Sequence, residues 1–321
     1  MQTIILELYD TFSCMAGDCP ATCCAGWKIV VDNKDYERFQ QMEPAPIRDD
    51  ILSHIEERNG EYCFQNDSIG RCAMLDSDGL CRIQKNISEK ALCNTCRKFP
   101  RLTAQVDGKL WISMMASCPV VAKYLLTKKV QWRYTDVSDG QQLLSGLPMW
   151  KDSENVLADF RKTINNNSFT FEKFVDVAMD CLDVLLRFPE CPYLEDSFDC
   201  YQEEGNQTEM LSAFLQGTRT EWQLFFTNYC CYRIPGRYIE YPIEKPQTRV
   251  KQVLGELLIM RVILCSRYKV RNGLKETDWL EVLHWVYRFC VHGQKMGQQI
   301  HEMFLRWDIE MLQLAYPENK T

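Results

Sequence analysis

The chain has 321 residues, a formal net charge of −7 and 17 cysteines. That length supports a full hydrophobic core, so the cysteines are not needed as staples for a mini-protein, and the acidic balance argues against a general nucleic-acid binder, which needs a basic stripe to neutralise phosphates. The start, Met1 to Asp10, contains Glu7 and Asp10 and lacks the basic-then-apolar order of a secretory signal. No apolar run approaches a membrane span. A cytoplasmic chain is expected, and in that reducing compartment grouped cysteines indicate metal binding or catalysis rather than disulfides.

Ten of the 17 cysteines precede residue 119. The first loop reads Cys14-x4-Cys19-x3-Cys23-Cys24, followed by predicted helices over Lys34–Met42 and, after Pro44 and Pro46, over Ile47–Arg58. Vicinal Cys23 and Cys24 do not bridge each other without strain, but neighbouring thiolates can face two different metal-bound volumes. The stretch Leu75-Asp76-Ser77-Asp78-Gly79-Leu80 predicts a tight reversal that brings Cys72 and Cys81 face to face. Ser88 is a candidate cap for a brief helix carrying Cys93 and Cys96 on one side.

Residues 128–170 form a polar connecting segment, with turn signals at Ser138-Asp139-Gly140, Gly146-Leu147-Pro148 and Asn165-Asn166-Asn167 around one short helix. Beyond it, apolar residues recur at helical spacing. One stripe is Phe171, Phe174, Val175, Ala178, Leu182, Leu185 and Leu186. Another is Val250, Val253, Leu254, Leu257, Met260 and Leu264, stopping near Asn272-Gly273. Asp278 with Glu281 reads as a capping box for a helix through Cys290, and Gln298–Ala315 as a final amphipathic helix. The expected fold is mainly α. An irregular cysteine-rich metal-binding part with short hairpin elements, residues 1–127, packs on a helical bundle, residues 171–321.

Eight cysteines carry the chemistry: Cys14, Cys19, Cys23, Cys24, Cys72, Cys81, Cys96 and Cys118. Free cysteine is ordinarily a small buried hydrophobe, but scattered core cysteines do not bunch in this way. Thiolates from short loops and distant partners are what a metal or iron–sulfur centre requires. Structural zinc commonly uses short Cys-x2-Cys pairs, a form that Cys93-x2-Cys96 has; Cys14, Cys19 and Cys23 have the looser spacing of iron–sulfur ligation. A Cys-x3-Cys-x2-Cys run is absent, because Gly26 stands where its last cysteine belongs, and Asp76-x-Asp78-Gly79 is a plain turn rather than a calcium loop. No glycine-rich nucleotide-binding loop follows a first strand.

Several blocks occur in order between residues 12 and 119. They are Phe12-Ser13-Cys14; Cys19-Pro20-Ala21-Thr22-Cys23-Cys24-Ala25-Gly26-Trp27 with Asp32 after it; Cys72-x2-Leu75-Asp76-x2-Gly79-Leu80-Cys81-Arg82-Ile83-Gln84; and Thr95-Cys96-Arg97-x-Phe99-Pro100-Arg101 with Ser117-Cys118-Pro119. In these blocks the chain resembles the flagellin lysine N-methylases, which are related to bacterial zinc- or iron-chelating cysteine-cluster domains. Asn228-Tyr229 through Arg233 and Arg288 to His292 resemble family segments more loosely. The resemblance implies an enzyme that methylates flagellin surface lysines with S-adenosylmethionine and holds a [4Fe-4S] cluster. It places the eight named cysteines at the family's positions and leaves Cys63 and Cys93 as auxiliary thiols. Eight sulfurs exceed the need of one cubane, which leaves room for a second metal, zinc or iron.

A lysine must be neutral to attack a sulfonium methyl, so a proton acceptor or an aromatic, desolvating wall is required. Tyr36, Tyr229 and His292 are the candidate catalytic groups, with Trp27 and Asp32 as further contributors. Arg97 and Arg101 are candidates to bind a cofactor carboxylate, against an equal expectation that they tie the Phe99-Pro100 turn together. The alternative function is a non-catalytic zinc- or iron-chelating protein.

Overall fold

The computed structural model describes residues 2–68, 70–135, 147–162, 171–185, 200–201, 207–292 and 294–317. In chain order the elements begin with β1 (Thr3–Leu6), α1 (Leu8–Thr11), β2 (Val30–Val31), α2 (Asn33–Gln40), α3 (Ala45–Ser53), β3 (Ile55–Arg58) and β4 (Glu61–Phe64). Then come α4 (Arg82–Asn86), α5 (Asn94–Lys98), β5 (Arg101–Val106), β6 (Lys109–Met114), α6 (Pro119–Thr127) and β7 (Trp132–Tyr134). The remainder is helical: α7 (Pro148–Lys162), α8 (Phe171–Leu185), α9 (Gln207–Gly217), α10 (Arg219–Glu240), α11 (Pro246–Arg271), α12 (Glu276–Tyr287), a π turn (Arg288–His292), α13 (Gln294–Arg306) and α14 (Ile309–Gln313). Mainly α is therefore the observed class. No helix among the described residues is long and apolar enough to cross a membrane.

Contacts divide the chain into two compact units, and the division differs from a break at residue 127. The cysteine-rich unit is Phe12–Leu102 with Cys118–Val120; the helical unit takes Met1–Thr11, Thr103–Ser117 and everything from Val121. The reason is strand pairing. β1 runs parallel to β6 and antiparallel to β7 in a sheet of order β5-β6-β1-β7, which draws the first residues and the β6 hairpin into the helical unit. Residues 128–170 likewise do more than connect, since β7 closes this sheet and α7 packs on α10 and α11. The expected turns at 138–140 and 165–167, with Gly146 and Leu186, lie outside the described residues.

In the cysteine-rich unit, Asp32 caps α2 by accepting the Asp35 N–H at 2.8 Å. The helix expected over 47–58 ends at Ser53. Asn59-Gly60, with φ of +54° and +78°, instead turns β3 back onto β4, and β2 completes a three-stranded antiparallel sheet. Ile29, Val31, Phe39, Ile51, Phe64, Met74 and Ile83 form its core.

α11 is the axis of the helical unit. Every residue from Gln252 to Arg267 is buried, and its surroundings include α7, α9, α10, α12 and α13. It stops at Asn272 in the left-handed conformation, as the Asn272-Gly273 signal predicts. Asp278 occupies the third helical position rather than the cap of α12, accepting the Lys275 N–H at 2.8 Å. The final helix is broken in two: Asp308 accepts the Met311 N–H and starts α14 anew.

Gly255 permits a close approach to α11. A Cβ there would lie 2.3 Å from Phe304 Cγ and 2.4 Å from Cδ1, so the ring of α13 sits where a side chain would start. Gly255→Ala is therefore expected to destabilise the chain by roughly 1–3 kcal/mol, read as a lowered urea midpoint. An unchanged midpoint would show that α13 is not seated on this glycine.

Candidate metal centre

The first cysteine loop is held by its own backbone. The Ala16 N–H points at Cys14 Sγ (3.3 Å), the Cys19 thiol donates to Ala21 O (3.1 Å), and Trp27 Nε1 donates to Cys23 O (2.7 Å). A short ladder ties this loop to the segment leading to Cys72. Cys72 N–H donates to Cys24 O at 2.7 Å and Gly26 N–H to Gly70 O at 2.9 Å, with Ala25 bridged to Arg71. Gly26 and Gly70 take φ of +77° and +76°, which explains glycine at both crossings. The 75–80 reversal forms as predicted: Asp76 N–H donates to Leu80 O (2.8 Å), Gly79 has φ of +80°, and Leu75 pairs with Cys81.

Two short helices then present sulfur at their first residue. Cys81 occupies the N-cap position of α4 and Cys93 that of α5, and neither side chain makes a capping bond. Neighbouring backbone amides act on the thiol pKa values, each in the direction that favours the thiolate: Ile83 and Gln84 on Cys81, Thr95 and Cys96 on Cys93, and Met74 on Cys72. Amide hydrogens aimed at sulfur favour the thiolate and are a standard support for metal-bound thiolates. Arg82 fixes α4 through a forked pair with Asp50 at 2.8 and 3.0 Å. α5 is fixed by Thr95 Oγ1 donating to Val30 O at 2.6 Å and by Asn94 N–H donating to the buried Asp35. The Ser88 side chain makes no capping bond, and the residue at the N-cap of α5 is Cys93.

These supports bring Cys24, Cys72, Cys81, Cys93 and Cys96 into one group. Cys72 and Cys93 belong to the buried core, with Cys24, Cys81 and Cys96 packed against it. A charge on Cys24 raises the thiol pKa of Cys72, Cys81 and Cys96, and a charge on Cys93 that of Cys72 and Cys81. Cys93, an auxiliary thiol by family resemblance, thus lies inside the group and hydrogen-bonds Cys96. Its Cys-x2-Cys spacing was the signal that pointed to it. Cys14, Cys19 and Cys23 adjoin Cys24, with Cys14 and Cys23 exposed. Cys118 is buried beside Pro119 and counts with the cysteine-rich unit. Cys63 donates to Glu56 O within the small sheet.

The electrostatics of this group follow from its burial and its crowding. Burial pushes the Cys72 thiol up to about 12 and raises Cys81 and Cys19. The hydrogen bond shared with Cys93 raises Cys96, as that shared with Cys24 raises Cys23; in each pair the accepting partner is lowered. Several buried thiolates repel one another, so without a cation most of the group stays protonated. A bound cation reverses that balance and releases protons, so affinity falls as pH falls. A donor set of sulfur alone suits zinc or an iron–sulfur cluster and not magnesium or calcium. In donor chemistry the residues present fit a thiolate-bound centre, although among the described residues no three of these sulfurs lie within 4.8 Å of one another.

The remaining candidates are more ordinary. Tyr36 stacks on Tyr62 with centroids 4.0 Å apart. Arg97 lies 3.8 Å from Asp35, and Arg101 covers the Phe12 ring and donates to Arg97 O, which favours their role in tying the turn. Tyr229 is fully buried and donates to Glu256 at 2.7 Å. His292 ends the π turn, and its side chain lies outside the described residues.

Cys72→Ser and Cys93→Ser are each expected to weaken metal binding by at least about tenfold, measured as metal retained after anaerobic gel filtration, while Cys63→Ser retains it. Full retention by Cys93→Ser would remove that residue from the centre.

No family model and no solved structure matches the chain. Among characterised proteins, 163 residues, 49% of the chain, are 29% identical to the lysine-N-methylases of Salmonella typhimurium and Salmonella choleraesuis. The match covers 40% of each, so the chain spans less than half the length of these relatives. A stretch of 121 residues, 36% of the chain, is 34% identical to the flagellar biosynthetic protein FliU of Salmonella muenchen and covers 71% of it. By this match, and by the ordered cysteine blocks, the chain belongs to the flagellin lysine N-methylase family.

Proposed function

We propose that the chain is a cytoplasmic protein-lysine N-methyltransferase that modifies surface lysines of flagellin, with S-adenosylmethionine as methyl donor and a [4Fe-4S] cluster in its cysteine-rich unit. The observation that carries this reading is the gathering of Cys24, Cys72, Cys81, Cys93 and Cys96 in one half-buried group, at three of which neighbouring backbone amides act to favour the thiolate. Four thiolates suffice for a cubane, and the five sulfurs offer that number within one unit. The relatives' names, lysine-N-methylase and flagellar biosynthetic protein, support the substrate.

The cluster, when bound, supplies a redox-capable centre whose potential is tuned by the hydrogen bonds to its sulfurs. The chain's own residues must present the amine without its proton, because an ammonium has no lone pair with which to form the new N–C bond. Desolvation against aromatic surface lowers an amine's pKa. Trp27 and Phe99, tilted rings 6.1 Å apart beside the first cysteine loop and α5, provide such a surface. Tyr36 is the candidate proton acceptor carried by the same unit as the thiols.

Mass spectrometry of a matching flagellin, co-expressed with and without this chain, tests the reading. Methylated lysines are expected only in its presence and are lost with Cys72→Ser. Unmodified flagellin alongside folded, cluster-loaded protein would contradict it, and zinc-only colourless protein with unmodified flagellin would mark the chain as a chelator.

A further inference from the structure

The helical unit contains a second convergence of donors, of mixed chemistry. A carboxylate oxygen of Glu256, Sγ of Cys290 and a ring nitrogen of His301 all lie within 4.8 Å of one another. They come from three elements: α11, the π turn and α13. Two glycines bring these together. Gly255 admits the Phe304 ring onto α11, and a Cβ on Gly297 would lie 2.9 Å from Cys290 O, so α13 begins directly against the π turn. His301 stands one turn after Gly297 and three residues before Phe304, seated between the two close approaches. The π turn, a wider winding frequent at functional sites, carries Cys290.

The surroundings orient the carboxylate. Glu256 Oε2 accepts from Tyr229 Oη at 2.7 Å and Arg233 Nε at 3.0 Å, and Oε1 accepts from Arg233 Nη2 at 3.2 Å while facing His301 Nε2 at 3.9 Å. Hydrogen bonds of this kind orient a ligating carboxylate. Two cations face the group, and each has a carboxylate of its own: Arg233 pairs with Glu240 at 3.0 Å and Arg237 with Glu244 at 2.7 Å. Arg249 also acts on Glu244, so three carboxylates stand against three guanidiniums, before any charge on the thiol. At His301 Nε2, the contact an incoming cation must displace is the 3.4 Å approach of Arg237 Nη1, which keeps its two bonds to Glu244. Glu256 is fully buried, whereas the His301 side chain is 17% exposed and marks the route of entry.

We propose that Glu256, Cys290 and His301 form a three-donor site for a divalent cation of borderline softness, zinc by its one oxygen, one sulfur and one nitrogen. Binding forms a Zn–S bond at Cys290 as its thiol proton leaves to solvent. Three protein donors leave a fourth tetrahedral position for water or an external ligand. This site stands independently of the methylation reading and of the cysteine centre.

The test is zinc analysis, with zinc K-edge X-ray absorption, on full-length protein isolated anaerobically and supplied with zinc. A zinc signal containing imidazole scattering is expected. Glu256→Gln and His301→Gln should each lose about one zinc equivalent, and His301→Gln should lose the imidazole signal, while His54→Gln keeps both. Far-UV circular dichroism checks that the variants fold. If they do not, the wild-type spectrum still decides, because a sulfur-only zinc environment overturns the proposal. Equal zinc content in folded wild type and His301→Gln, or an imidazole signal lost only with His54→Gln, also overturns it.

Discussion

The structure depends on the cost of gathering thiols. Sulfurs from three separate stretches, the 19–24 loop, the 72–81 reversal and the start of α5, meet in a half-buried group where burial and mutual repulsion oppose ionisation. Nothing in apolar packing alone asks for that arrangement, since one methyl-sized hydrophobe serves as well as another. Local structure keeps the sulfurs together: glycines at the Gly26–Gly70 crossing, helix starts at Cys81 and Cys93, and the Arg82–Asp50 fork behind α4. Such supports make sense when a cation completes the balance.

The helical unit solves a different problem of buried charge. Arg233, Arg237 and Glu256 are taken fully out of water, and the two guanidiniums are matched by Glu240, Glu244 and Glu256. Pairs of this sort contribute less to stability than their number suggests, because desolvation offsets much of the attraction, while removing one partner leaves the other uncompensated. Their consequence is geometric. Tyr229 and Arg233 hold Glu256 from one side, so that its carboxylate faces Cys290 and His301 in a fixed orientation.

Much of the local structure was legible in sequence because it depends on neighbours along the chain. The Asp76–Gly79 turn and the Asn272 stop each act within a few residues, and the stripe from Val250 to Leu264 marks a helix whose middle is buried on all sides. What was not legible depends on distant pairing. Glu56 to Arg58 read as helix because the partner strand was unseen, although Asn59-Gly60 was a hairpin signal. The parallel pairing of β1 with β6, which assigns the first eleven residues to the helical unit, has no local signature. The cysteine group was largely visible by its bunching, but the inclusion of Cys93 follows from α5 being fixed by Asp35 and Val30, some sixty residues away. Glu256, Cys290 and His301 are spaced so widely that only helix packing brings them together.

The most direct test of a common inorganic centre is iron, zinc and acid-labile sulfide analysis of the wild-type protein kept strictly from oxygen. About four irons and four sulfides per chain, with the grouped cysteines protected from alkylation until the metal is removed, is the predicted result. Metal-free, folded protein whose grouped cysteines alkylate freely, or are paired as disulfides, would contradict it.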